Sequence, residues 1–395
     1  MADAPTTNDR LRDALLRAAD RLATTTMARL VLQQIARVVD PAHVPAELRG
    51  PVLERLRGAG EPEPLAWRAI EGRLKRAWGE PPGRVLDDVD ERPAAVTPAA
   101  QLHHAVIDGD DVAVKVRRPG VAEAVRGDLA LLDVVAQLLA GLAPRADVGA
   151  LAAEVRERAL DELDLEHEAT SQRAFHRALR RHEDLHVPAP RTDLAREDVL
   201  VAEWVEGTSV RALQGGPEDA RRRVAELAMR FFLGAAQHGT VHADPDPDDV
   251  LLLDDGRVAV LDYGAVARVP SARAARFADL LEALAAGDDH AGGGALAELG
   301  WLRGTDAPKA VAHARRALAP LLESPARLDP QALAAAGSRA LDVAPDLLPL
   351  LPRTAVPPGD LWPLRGTGAL ALLLARLDVE ADWVALATRA LREGW

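Results

Sequence analysis

The sequence predicts an α+β chain in which strands and helices fall in separate runs. Three observations point there. A run of apolar and β-branched residues with period-two spacing surrounds Asp108-Gly109-Asp110 in the first third of the chain. A second hairpin signal, Leu251 to Leu253 and Val258 to Leu261 around Asp254-Asp255-Gly256, is embedded in a region otherwise patterned as helix. Everything after Pro270 carries helical spacing. Segregated runs of this kind argue for α+β over an alternating α/β sheet.

Taken in order, residues 9–80 read helical, with prolines 41, 45, 51, 62 and 64 cutting the region into short pieces. The period changes between Pro93 and Val116, where Leu102, Ala105 and Ile107 face Val112, Val114 and Val116 across the Asp-Gly turn. Helices are predicted from about Val121 to Ala140 and from about Val148 to Arg181. A short strand runs from Val199 to Val205, bounded by Glu206-Gly207. The helix from about Glu218 to Gln237 carries Val224, Leu227, Ala228 and Phe231 on one face. The helical C-terminal part is expected to be interrupted by Gly292-Gly293-Gly294 and by prolines near 345–358. Three segments follow: an N-terminal helical extension (1–88), a small β-rich lobe with inserted helices (89–206) and a mostly helical lobe (207–395).

Composition narrows the function. The 395 residues carry 48 basic and 61 acidic side chains, a net charge of −13, so the long-range field repels nucleic acid and anionic membranes. The chain has no cysteine, which excludes disulfides, thiolate metal sites and a cysteine nucleophile. No apolar run reaches the ~18 residues that a membrane span needs. The N-terminus lacks the basic and apolar regions of a signal peptide. A cytoplasmic protein is expected. Among the basic residues only Lys75, Lys115 and Lys309 are lysine. A lysine kept against so strong a bias toward arginine is informative.

Three pieces then fall in a telling order. Lys115 ends the strand Val112-Ala113-Val114-Lys115, whose alternation puts Ala113 and Lys115 on one face. Asp244 follows in the loop His242-Ala243-Asp244, after an apolar helix, and Asp249 comes five residues later. Asp262, in Leu261-Asp262-Tyr263-Gly264, closes the second hairpin. This is the layout of a kinase-type phosphate site: a strand lysine, a catalytic-loop aspartate, a metal ligand and an Asp-aromatic-Gly turn. Phosphoryl transfer asks the protein for a cation on the phosphates, carboxylates for Mg²⁺ and a group that orients the nucleophile. Lys115, then Asp249 with Asp262, then Asp244 fit those roles. The fold expected from this order is a two-lobed protein-kinase-like one. A calcium loop starting at Asp244 would need glycine where Asp249 stands. An Asp-rich helical diphosphate motif conflicts with the hairpin pattern. His103-His104 would point to opposite faces of a strand, one into the core and one to the surface.

The motifs resemble those of the UbiB family of atypical kinase-like proteins, also called AarF-domain proteins. VAVKVRRPG (112–120) resembles the family's VAVKVQRPG, and ELDLEHEATS (162–171) its ELDxxxEAxN. LVAEWVEG (200–207) resembles its hinge, HADPDPDDV (242–250) its HADPHPGN, and LDYG (261–264) its LDFG. The resemblance implies that Glu168 pairs with Lys115, with Glu162 as the alternative. It implies that Glu203, Trp204 and Val205 hold an adenine through their backbone. It also implies that Ala95, Val96 and Thr97 cover the phosphates in place of a glycine-rich loop. ATP or ADP with Mg²⁺ is the implied cofactor. The implied activity is that of an ATPase or a small-molecule phosphotransferase supporting isoprenoid-quinone metabolism, with a lipid or isoprenoid partner and at most peripheral membrane contact. A catalytically impaired, nucleotide-binding scaffold is the alternative.

Four departures from the family bear on activity. Val31-Leu32-Gln33-Gln34 stands where the family has Lys-x-Gly-Gln, which implies that Glu162 lacks its partner. Pro98 removes an amide from the covering loop. Asp249 replaces an asparagine, and Asp246-Pro247-Asp248 replaces His-Pro-Gly. Asp244, Asp246, Asp248, Asp249 and Asp262 are therefore expected to crowd together and repel a triphosphate unless metal is bound.

Overall fold

The computed structural model describes residues 41–46, 49–50, 62–140 and 144–395. The helical reading of 9–40, 47–48 and 51–61, including Val31 to Gln34, lies outside the described residues. Helix α1 (Trp67–Trp78), the first α-helix described over its whole length, ends at Gly79, whose φ of 79° places its N–H on the Lys75 carbonyl. Strands β1 (Asp88–Val89), β2 (Ala95–Val96), β3 (Ala100–Ile107) and β4 (Asp110–Arg117) follow. Asp108 and Gly109 both have positive φ, 55° and 82°, as a two-residue hairpin turn of the primed type requires. Val112, Val114 and Val116 are buried on one face of β4 against Ile70 and Leu74 of α1. Alternation therefore turns Lys115 to the opposite face.

Helices α2 (Val121–Ala140), α3 (Val148–Asp161) and α4 (Leu165–Leu179) come next. The sequence predicted one helix from 148 to 181, but the structure breaks it at Glu162 to Asp164. Asp164 caps α4 by accepting from the Glu166 and His167 amides at 2.9 and 3.2 Å. The buried guanidinium of Arg117 donates to the Leu163 carbonyl and fixes the break to the end of β4. Strand β5 (Leu185–His186) precedes β6 (Val199–Glu203), which pairs antiparallel with β4 and sets Leu200 opposite Lys115.

A short strand β7 (Thr208–Ser209), one helical turn α5 (Val210–Leu213) and the long α6 (Glu218–Gly234) follow. Then come β8 (Thr240–His242), β9 (Val250–Leu252), β10 (Val258–Val260) and β11 (Val266–Arg268). The second sheet has the order β5-β10-β9-β7, while β8 pairs with β11. Val224, Leu227, Ala228 and Phe231 of α6 lie in the largest core cluster, together with Tyr263.

The rest comprises α7 (Ser271–Ala286), α8 (Asp289–Leu299), α9 (Asp306–Leu322), β12 (Ala326–Leu328), α10 (Pro330–Leu347), α11 (Leu361–Leu377), β13 (Val379–Ala381) and α12 (Trp383–Glu393). Two expectations are corrected here. The region is not wholly helical, because β12 and β13 pair antiparallel. Gly292 to Gly294 do not interrupt a helix but lie within α8. A Cβ at Gly292 would come 2.7 Å from Val311, and one at Gly293 2.8 Å from Pro308, so the glycines allow α8 to press against α9. Among the described residues no helix is long and apolar enough to cross a membrane.

Candidate active site

The structure brings Lys115, Glu168 and Asp262 together from three separate elements. The Lys115 ammonium donates to Glu168 Oε1 and Oε2 at 2.8 and 2.9 Å, and to Asp262 Oδ2 at 2.9 Å. Glu168 sits in the first turn of α4, 2% exposed, and also accepts from the Tyr263 amide at 3.3 Å. Of the two glutamates that the sequence left open, Glu168 is the one beside Lys115. Burial works against charge on Lys115, but Asp262 and Glu168 outweigh it and hold the ammonium above the ordinary lysine range. Burial, with the Asp262 charge, pushes the Glu168 carboxyl up to about 7 against the pull of Lys115. Lys115 and the Gly264 amide keep the carboxyl of Asp262, whose side chain is 42% exposed, well below the usual range.

Asp262 takes a left-handed backbone conformation, with φ of 51°. His242 fastens it there: Nε2 donates to the Asp262 carbonyl at 2.6 Å, and Nδ1 faces the Asp244 amide at 3.4 Å. One imidazole thus ties the Asp244 loop to the Asp262 turn. Burial pushes this histidine down to about 4, which suits a ring that must stay neutral to accept at Nδ1. Asp249 joins through its backbone, since its carbonyl accepts from the Leu261 amide at 2.8 Å and sets it beside Asp262.

The acidic loop is less crowded than the sequence suggests. Asp248 turns onto Arg211, with bonds of 2.6 and 3.0 Å. Asp246 is buried and caps the Asp248 amide at 2.8 Å. The expectation that Glu162 lacks a partner is also corrected. Arg365 of α11 pairs with Glu162 Oε1 through one nitrogen and lies 3.2 Å from Asp244 Oδ2 through the other. Sequence reasoning missed Arg365. It stands 203 residues from Glu162 in an apolar helix, and the one local sign is Gly366 beside it.

The remaining site residues are less available than expected. Ala95 and Val96 form β2 against β3. Thr97 closes a turn, with its amide on the Ala100 carbonyl at 2.8 Å. The Glu203 amide donates to the Ala189 carbonyl at 2.9 Å and the Trp204 amide to the Asp111 carbonyl at 3.1 Å. Of the three hinge residues, Val205 keeps an amide that no described hydrogen bond uses. His103 is buried, while His104 reaches out to Asp111 at 2.8 Å.

Among the described residues no group of three or more histidine, aspartate or glutamate side chains is arranged to hold a metal ion by itself. Mg²⁺ does not need one. It is ordinarily held by one or two carboxylates together with phosphate oxygens and water. Asp249 and Asp262 are hard oxygen donors of that kind, and Lys115 is a point cation suited to phosphate, so the donor set fits a magnesium nucleotide.

The chain is similar to several known proteins. The chain is 32% identical over 222 residues to the Synechocystis protein slr0889, covering 52% of this chain and 54% of that one. It is 29% identical over 266 residues to the Caenorhabditis elegans protein named atypical kinase coq-8, mitochondrial, covering 62% of this chain and 34% of that one. The chain thus spans about half or less of the length of these curated relatives. The Mycobacterium tuberculosis protein Rv3197, solved in complex with erythromycin, shares the fold over 97% of both chains at a TM-score of 0.64 and 23% identity. The ABC1 atypical kinase-like domain matches residues 60–292, which contain Lys115, Glu168, Asp244, Asp249 and Asp262, and the chain belongs to that family, the UbiB or AarF-domain proteins.

Proposed function

We propose that this chain binds ATP or ADP with Mg²⁺ between β4 and the loops carrying Asp244, Asp249 and Asp262, and acts as an ATPase or a small-molecule phosphotransferase. The observation that carries the reading is the single ammonium of Lys115 held between Glu168 and Asp262. Lys115 anchors the nucleotide's phosphates, and Glu168 aims Lys115. Asp249 and Asp262 are the residues that would hold the metal, which supplies charge neutralisation on the transferring phosphoryl group. Asp244 accepts the proton of the attacking hydroxyl or water at its carboxylate oxygen. The Val205 amide is the hinge donor to the adenine.

Thr97 and Pro98 favour a second reading, nucleotide binding without turnover. The Thr97 amide is engaged within its own turn and Pro98 has none, so the covering loop offers the phosphates few donors. ATP turnover and nucleotide-induced thermal shift of wild type, Lys115→Ala and Asp262→Ala separate the readings. Turnover lost in both variants supports the enzyme. A thermal shift without turnover supports the binding protein. Binding and turnover untouched by either substitution would sink both. The family resemblance suggests isoprenoid-quinone or related lipid metabolism as the setting, with a small lipid acceptor and peripheral contact with membranes.

A further inference from the structure

We propose that Arg365 is a positioning residue for the candidate site, which makes α11 a working part of it although it lies beyond the 60–292 family match. This rests on the nucleotide reading above. The two carboxylates that Arg365 joins come from different places, Glu162 from the break between α3 and α4, and Asp244 from the loop after β8. Among the described residues its ion pairs are with these two alone. A guanidinium presents its donors in a fixed planar fork, so contact at two points sets the direction of each carboxylate in a way a single ammonium would not.

Two further features aim the fork. Gly366 leaves no room for a side chain, because a Cβ there would lie 3.0 Å from both the Ala243 Cα and the His242 carbonyl oxygen. The backbone of α11 therefore rests directly on the backbone of the Asp244 loop. Trp362, one turn earlier, is buried with Val241 and Ala243, and its ring lies 5.5 Å from the Arg365 guanidinium carbon, within cation-π range. Helix, tryptophan and guanidinium together fix where the Asp244 carboxylate points. Arg365 makes its ion pairs with Glu162 and Asp244 and none with Lys115 or Asp262, so it governs the acceptor end of the site and leaves the phosphate-anchoring end alone.

The test uses the full chain with Mg·ADP affinity, ATP turnover, and amide hydrogen exchange of residues 243–250. Arg365→Gln should lower kcat by about 10- to 100-fold and leave the Mg·ADP Kd within about threefold. It should also speed exchange across 243–250. Arg365→Lys should recover part of kcat, since an ammonium can still meet one carboxylate. Gly366→Ala, which pushes α11 off the loop with Arg365 intact, should give the same split between kcat and Kd. An Arg365→Gln protein with wild-type kcat and exchange overturns the proposal, as does an equal loss of nucleotide affinity, the mark of a general brace. A wild type that binds nucleotide and turns none over also overturns it. A wild type that binds no nucleotide overturns the nucleotide reading itself, whereas an active wild type with an indifferent Arg365→Gln overturns this proposal alone.

Discussion

Glu168 takes hydrogen bonds on both carboxylate oxygens from one ammonium, that of Lys115, at 2.8 and 2.9 Å, and the same ammonium reaches Asp262. One cation thus balances two acids in a site where Glu168 is 2% exposed. Removing one partner of such a group leaves charge stranded away from water. Lys115→Met should destabilise the fold by about 3 kcal/mol or more, read by urea unfolding, and abolish nucleotide-induced stabilisation. Lys115→Met combined with Glu168→Gln should regain most of the lost stability, because Asp262, the carboxylate that remains, is 42% exposed and keeps its contact with water, and none of the nucleotide response. A single variant as stable as wild type would show that the ion pair has little hold on the fold.

Charge distribution in the 244–249 loop leads to a second expectation. Asp248 is bound to Arg211, and Asp246 is buried and accepts from the Asp248 amide, so each already has a partner within the protein. Asp249→Ala and Asp262→Ala should each raise the Mg²⁺ concentration needed for half-maximal nucleotide binding by about tenfold or more, whereas Asp248→Ala should change it by less than about twofold. Nucleotide titrations across a Mg²⁺ series read this directly. A response to Asp248→Ala as large as that to Asp249→Ala would mean that the whole acidic loop acts together.

How legible this was in the sequence depends on how local each signal is. Asp108-Gly109 and the alternation around it are short-range signals, and the β3–β4 hairpin follows them residue for residue. Lys115, Asp249 and Asp262 stood out because their order and spacing are set by a strand, a loop and a hairpin, each readable alone. Arg365 left no such trace. Its partners come from two remote segments, and periodicity in α11 reports only that one face is apolar. The break at Glu162 was hidden for a related reason. Residues 148–181 keep a helical pattern throughout, and what stops α3 is the Arg117 guanidinium arriving from β4 to take the Leu163 carbonyl. The β12–β13 pair joins residues about fifty apart through three-residue strands too short to show alternation.

Gly292 to Gly294 offer a test of the helix that their composition argued against. Gly292 and Gly293 face α9 with no space for a methyl group, while Gly294 has nothing within 4 Å. Gly292→Ala and Gly293→Ala should each destabilise by about 1–3 kcal/mol, the usual effect of overpacking. Gly294→Ala should stabilise by up to about 1 kcal/mol, since alanine is the better helix former and orders the unfolded chain more. Thermal unfolding of the three variants gives the answer. A destabilised Gly294→Ala would indicate that this stretch is not helical in solution.

His103 sets a pH dependence of stability away from the candidate site. The imidazole is buried; Nδ1 donates to the Asp90 carbonyl at 2.8 Å and Nε2 meets the Gln101 side-chain nitrogen at 3.0 Å. Gln101 cannot turn its amide round, because its oxygen already accepts from the Leu65 amide at 2.8 Å and its nitrogen donates to the Leu65 carbonyl. A proton on Nε2 would therefore face another donor. Burial lowers the affinity of this histidine for a proton below its ordinary value of 6.5. The unfolded chain then binds more protons than the folded one as the pH drops, so this contribution is fully present above 6.5 and is lost toward acid. The loss should be smaller in His103→Gln, which keeps polar atoms but cannot titrate, while the other buried histidines act alike in both proteins. Urea midpoints at about pH 7.5 and about pH 5 should fall further apart in wild type than in His103→Gln. Equal shifts would show that His103 takes up its proton without opening the contact between β3 and the start of α1.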